Sequence, residues 1–153
     1  MQSPQQPVVL ITFHCQNGET EKLALSAAVG AVQGRALIRL RRLTDMGMVV
    51  DNDELLRMRK EYVPPTEKDI LGADALIVVA PPDFSESSLH WRPYLELLRR
   101  LAPINKVGAF IGLDANCFSD LGLQTLTNTS GDALALGRAV ADAVRKRQQQ
   151  EQS

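Results

Sequence analysis

Three apolar, β-branched runs leave this chain few folds to choose from: Val8-Val9-Leu10-Ile11-Thr12-Phe13, Asp74-Ala75-Leu76-Ile77-Val78-Val79-Ala80, and Lys106 to Leu113 with Val107, Ala109, Phe110 and Ile111. A strand with one wet face alternates apolar and polar residues. A run that is apolar throughout must be covered on both faces, as in the middle of a parallel sheet. The intervals supply the covers. Glu19 to Val32 sets Leu23, Ala24, Ala27, Ala28 and Ala31 at helical spacing, and Gly34 ends it. Leu89 to Leu101, capped by Ser87 or Ser88, turns Trp91, Tyr94, Leu95, Leu98 and Leu101 inward. Asp132 to Arg147, capped by Ser130, has Leu134, Leu136, Ala139, Val140, Ala143 and Val144 on its apolar side. Arg145, Lys146 and Arg147 in its last turn suit the helix dipole.

Weaker elements fill the gaps. Ala36 to Leu40 alternates apolar and basic residues, the pattern of an exposed edge strand. Arg39, Arg41 and Arg42 there either keep other chains off the edge or face an acidic partner. The stretch 44–65 is ambiguous, with Asp53 to Tyr62 a short charged helix stopped by Pro64-Pro65. Thr66-Glu67-Lys68-Asp69 reads as an N-terminal cap leading into a turn of helix that ends near Gly72. Leu123 to Asn128 is a short last strand. This alternation implies an open parallel sheet with helices on both faces. Ligands bind such sheets beyond the carboxyl ends of the strands, so the loops 14–18, 81–88 and 113–119 are expected to converge.

The totals narrow the function. The 153 residues suit one domain, with 1–6 and 148–153 expected to fray. At 44% hydrophobic and 23% charged the chain has the composition of a soluble globular protein. A net charge of −1 advertises neither nucleic acid nor an anionic membrane as partner. No apolar run approaches the roughly 20 residues that span a bilayer. Met1 to Pro7 lacks the basic and apolar regions of a secretion signal. Cys15 and Cys117 have no metal-ligand spacing and form no disulfide framework, which points to a reducing, cytoplasmic compartment. His14 and His90, the only histidines, make neither a metal site nor a Ser/His/Asp arrangement. No catalytic side chain is assigned. Trp91 and Tyr94 read as core or as an oligomer interface, and His14 as an exposed loop residue or one that approaches a ligand.

The segment after the first strand carries the chemistry. Cys15-Gln16-Asn17-Gly18-Glu19-Thr20 is a short polar loop that opens a helix. Backbone N–H groups at a helix N-terminus point outward and favour an anion. The plain alternative is a turn in which Gly18 supplies a positive φ and Thr20 a cap. Cys15 before a helix also suggests a nucleophilic thiol of the low-molecular-weight phosphatase kind. That chemistry needs an arginine six residues on, to clamp phosphoryl oxygens, and the residue there is Glu21.

Ala73-Asp74-Ala75-Leu76-Ile77-Val78-Val79-Ala80-Pro81-Pro82-Asp83-Phe84-Ser85-Glu86-Ser87-Ser88 resembles a segment of the flavodoxin-like proteins. More narrowly, it is similar to the tryptophan-repressor-binding-protein-like NAD(P)H:quinone oxidoreductases, which write a similar strand followed by Pro-Thr-Arg-Phe-Gly-Asn-Met-Ser. Pro81, Phe84 and Ser88 stand at the matching places, and Arg92 and Leu95 continue the match. The resemblance implies an α/β, three-layer α/β/α flavodoxin-like domain with parallel strand order 2-1-3-4-5. It implies FMN as cofactor, its phosphate on the loop Cys15, Gln16, Asn17, Gly18, Glu19 and Thr20. The ring would lie between Pro81, Pro82, Asp83 and Phe84 on one side and Asp114, Ala115, Asn116 and Cys117 on the other. The implied activity is hydride transfer from NAD(P)H and electron transfer to a quinone. The implied assembly is a homo-oligomer, with Trp91 or Tyr94 at the contact. Departures stand beside these matches. Cys15 and Asn17 replace two hydroxyls of the phosphate loop, Asp83 replaces an arginine, and Leu113 to Ser119 holds no glycine. They favour the alternative of a cofactor-free domain acting in protein interaction.

Overall fold

The computed structural model describes residues 6–14, 19–43, 53–80, 91–101, 106–111, 124–126 and 132–152. Five strands form one parallel sheet: β1 (Val8–Phe13), β2 (Leu37–Arg42), β3 (Ala75–Val79), β4 (Val107–Ile111) and β5 (Gln124–Leu126), in the order β2-β1-β3-β4-β5. The helices between them are α1 (Glu19–Gln33), α2 (Asp53–Glu61), α3 (Glu67–Gly72), α4 (Arg92–Leu101) and α5 (Ala133–Gln152).

Strand alternation sorts the core into two layers. Val9, Ile11 and Phe13 of β1 line up with Ala75, Ile77 and Val79 of β3 and pack under α1 and α5, with Met58 of α2 in the same cluster. Leu10, Leu76, Val78 and Phe110 point the other way and meet Ile70 of α3 and Tyr94, Leu95 and Leu98 of α4. The architecture is therefore three-layered, and β1 and β3 are covered on both sides as their unbroken apolar runs require.

Helices α1 and α5 approach more closely than any apolar pattern announces. A Cβ on Gly30 would stand 1.9 Å from the Leu134 carbonyl oxygen, and one on Gly137 would stand 2.0 Å from that of Ala27. Gly34 is held the same way: its Cβ would be 2.7 Å from the Ala141 Cβ. Three glycines thus set the spacing of one helix pair. The inward set differs from the sequence reading accordingly. Leu23 and Ala139 face solvent, while Gly137 and Ala141 are buried.

Other boundaries moved for local reasons. Gly34 is not the left-handed residue that ends α1. That position is Arg35, at φ 66°, closed by bonds from Arg35 N–H to Val32 O and from Ala36 N–H to Ala31 O. Strand β2 runs on to Arg42 because each of its residues pairs with β1, Phe13 standing opposite Arg42. Helix α4 runs from Arg92; Leu89 and the cap candidates Ser87 and Ser88 lie outside the described residues. The Trp91 carbonyl accepts its first described bond, from Leu95, and Pro93 fits the first turn, where no N–H is needed. Helix α5 is capped by Asp132, whose carboxylate accepts from Leu134 N–H at 3.0 Å. Ser130 lies outside the described residues. Helix α5 also continues past Arg147 to Gln152, through residues of good helix propensity. The Thr66 cap is as expected: its hydroxyl accepts from Asp69 N–H at 3.3 Å while the Asp69 carboxylate accepts from Thr66 N–H at 2.9 Å.

Candidate functional site at the carboxyl edge of the sheet

Phe13, Val79 and Ile111 form one row across β1, β3 and β4. Each ends its strand, and the Ala80 N–H donates to Ile111 O at 2.9 Å just beyond. The three segments singled out in the sequence therefore leave the sheet from one row of three adjacent strands, about 5 Å apart from neighbour to neighbour. Within them, Cys15, Gln16, Asn17, Gly18, Pro81, Pro82, Asp83, Phe84, Asp114, Ala115, Asn116 and Cys117 lie outside the described residues. Glu19 and Thr20 are described: α1 begins at Glu19, which is exposed, and Thr20 is buried.

Several side chains at this edge sit differently from the sequence reading. His14 is buried at 3% exposure, so it is not an exposed loop histidine. Trp91 and Tyr94 are buried in the α3/α4 layer, with ring centroids 6.3 Å apart, and neither offers surface to another subunit. Thr12, buried on β1, shares a hydrogen bond with the Tyr94 hydroxyl at 3.0 Å. Burial pushes the Tyr94 phenol well above its usual range, and the bond to Thr12 pulls against it. Arg41 is half-buried and makes a paired contact with Asp69, Nε to Oδ2 at 3.0 Å and Nη2 to Oδ1 at 3.3 Å, tying β2 to α3. Burial pushes the Asp69 carboxyl up. The bonds from Arg41 and Thr66 outweigh it and hold the group below the usual carboxylate range. Arg42 is buried, so only Arg39 of the three arginines stands fully at the surface.

Glu21 is the residue whose setting most affects the site. It stands in the first turn of α1, where a free carboxylate would compete with a bound anion. Its carboxylate is instead engaged by other side chains. Arg57 of α2 donates to it twice, at 2.8 and 3.2 Å, and the Tyr62 hydroxyl donates at 2.7 Å. The Arg57 bonds hold the Glu21 carboxyl below the usual carboxylate range against the cost of its burial, helped by Tyr62 and by the nearby charge of Arg42. Burial and the Glu21 carboxylate together push the Tyr62 phenol up. The Tyr62 ring also meets Phe13 edge-on, centroids 5.0 Å apart. Sequence reasoning counted Glu21 only as an obstacle to a phosphoryl substrate beside Cys15. Its partner lies 36 residues away on a helix the sequence left ambiguous, so no local signal named it.

Among the described residues, no group of three or more His, Cys, Asp or Glu side chains is placed to hold a metal ion. No described helix is long and apolar enough to cross a membrane.

A row of parallel strand ends with helices on both faces defines a doubly wound α/β protein. Among solved structures the fold is that of the flavodoxins. A flavodoxin from the domain Archaea superposes with a TM-score of 0.62 over 93% of this chain and 99% of its own, at 12% identity. The two-electron reduced Megasphaera elsdenii flavodoxin gives 0.57 over 88% and 98%, at 16% identity. A short-chain flavodoxin associated with a bacterial microcompartment gives 0.59 over 94% and 99%, at 11% identity. No protein-family model matches the sequence, and no curated protein does. The chain has the flavodoxin-like fold.

Proposed function

We propose that this chain is an FMN-binding electron carrier of the flavodoxin kind. The observation that carries the reading is the engagement of Glu21. With its carboxylate bonded to Arg57 and Tyr62, Glu21 is withdrawn as a rival for an outside anion at the positive end of α1. The resemblance implies the phosphate on the backbone of Gln16, Asn17, Gly18, Glu19 and Thr20. It implies the ring between Pro81, Pro82, Asp83 and Phe84 on one side and Asp114, Ala115, Asn116 and Cys117 on the other. When bound, the flavin supplies the redox chemistry; the chain supplies binding and orientation. Glu19, exposed in the same turn, weakens the pull on phosphate. Asp83, which the resemblance sets beside the ring, would disfavour adding negative charge there.

A finer reading adds NAD(P)H as hydride donor and a quinone as acceptor, in a homo-oligomer. It rests only on the resemblance, which is best over residues 73–88 and continues through Arg92 and Leu95. The test compares FMN with riboflavin by thermal unfolding. FMN at about 100 times its Kd adds roughly 2.7 kcal/mol of stability. Riboflavin, lacking the phosphate, is expected to add much less. No shift with either ligand sinks the proposal and favours a cofactor-free interaction domain, the reading that Cys15, Asn17 and the glycine-free third loop support. A shift with FMN is followed by quinone-reduction assays with NADH and with NADPH.

A further inference from the structure

Helix α2 is attached unlike the other long helices. Helices α1 and α5 meet backbone against backbone at Gly30 and Gly137, and Gly34 meets the Ala141 side chain. Helix α2 has no comparably extensive approach to another element, and among its described side chains Met58 and Arg57 hold it. Met58 reaches into the α1/α5 layer and is fully buried, while Asp53, Leu56, Arg59, Lys60 and Glu61 face solvent. The second hold is the ion pair of Arg57 with Glu21, joined by the Tyr62 hydroxyl just beyond the helix. The chain after α2 is pinned separately. Arg42 N–H donates to Val63 O at 3.1 Å, and the Tyr62 ring rests on Phe13.

We propose that α2 is a strap that lifts from α1 as a unit, hinged at Tyr62–Val63 and latched by Glu21. The unequal exposure of the latch favours this. The Glu21 side chain is 8% exposed and that of Arg57 is 40%. Among the described side chains, lifting α2 gives up the burial of Met58 and the Arg57 bonds to one carboxylate, and returns an already half-wet guanidinium to water. That is a small part of the burial lost in global unfolding, so the strap belongs to the low-stability end of the molecule. Among the described residues, the charged and titratable groups acting on Glu21 are Arg57 from α2, Tyr62 beyond it, and Arg42 from β2. Arg57 also donates to Glu61 at 2.6 Å, so it keeps a partner when the strap is open. The proposal needs no flavin.

The test is native-state amide hydrogen exchange on the full chain, comparing the α2 amides of Arg57 to Glu61 with the α5 amides of Leu136 to Val144. The strap account expects α2 to open about a hundredfold more often than α5, with little dependence on added urea. Glu21→Gln is expected to speed exchange in α2 about tenfold and leave α5 unchanged. Arg57→Gln, at the half-exposed end of the pair, is expected to do the same without touching the core. Equal opening of α2 and α5 in the native chain overturns the proposal. So does acceleration of both helices alike in the two variants.

Discussion

Gly30→Ala tests the packing of α1 on α5, because two effects of known sign oppose each other there. Alanine gains about 1 kcal/mol over glycine in a helix interior, so an open position would be stabilised. At Gly30 the added Cβ would lie 1.9 Å from Leu134 O, 2.8 Å from Leu134 C and 3.1 Å from Arg138 N, all backbone atoms of α5. No rotamer relieves a clash with backbone. To bring the nearest contact out to 3.0 Å the helices must separate by about 1.1 Å along that line. Overpacking costs about 1–3 kcal/mol where side chains can adjust, and this site is at or beyond the top of that range. Separation also forfeits dispersion contacts along Ala27, Ala31, Ala141 and Val144. The expected net loss is about 2 kcal/mol, or a melting point lower by about 4–8 °C in a domain of this size. Gly72→Ala is the control: nothing lies within 4 Å of its Cβ. It should be neutral or up to about 1 kcal/mol more stable. Urea unfolding followed by far-ultraviolet circular dichroism reads both. A Gly30→Ala variant as stable as the parent would refute the close approach of the two helices.

Three further outcomes follow from single sites. Arg35→Gly should stabilise by about 0.5–1 kcal/mol in the same urea assay, since it removes a side chain from the left-handed position that ends α1. Tyr94→Phe should cost about 1–3 kcal/mol by leaving the buried Thr12 hydroxyl unpaired, and Thr12→Val added to it should recover part of the loss; a double-mutant cycle with no coupling contradicts the bond. Glu21 is held below its unfolded value near 4.5, so its contribution is complete above that pH and is lost as pH falls through the lower folded value. Unfolding free energies between pH 7 and about pH 3 should therefore fall less steeply in Glu21→Gln than in the parent.

How far the sequence spoke depended on whether a feature was local. The runs at 8–13, 74–80 and 107–111 announced buried strands through composition alone. The Thr66–Asp69 box announced α3 because a capping box is complete within four residues. Alternation announced an open parallel sheet, and the order β2-β1-β3-β4-β5 came only with the resemblance to the flavodoxin-like proteins. The α1/α5 contact did not show, because glycines inside a helical pattern look like weaknesses until a second helix is laid across them. Ala141 and Ala139 have the same side chain, and only the crossing of α5 over α1 decides which is buried. The Glu21 latch was hidden for a related reason: its partners lie 36 and 41 residues away, on a segment with no periodic signal. At the candidate site, the sequence identified strand ends that do leave from one row of the sheet. Glu19 and Thr20 are the only assigned ligand residues among those described.

The account stands or falls on whether the carboxyl edge of this sheet holds FMN. Titrating purified protein into FMN and following flavin fluorescence measures that directly. Saturable quenching with a Kd in the micromolar range or tighter, weakened for riboflavin, is the predicted result. Unchanged fluorescence at protein concentrations well above that range would mean that Cys15, Asn17 and Glu19 have cost the loop its phosphate, and that the flavodoxin-like fold serves here without its cofactor.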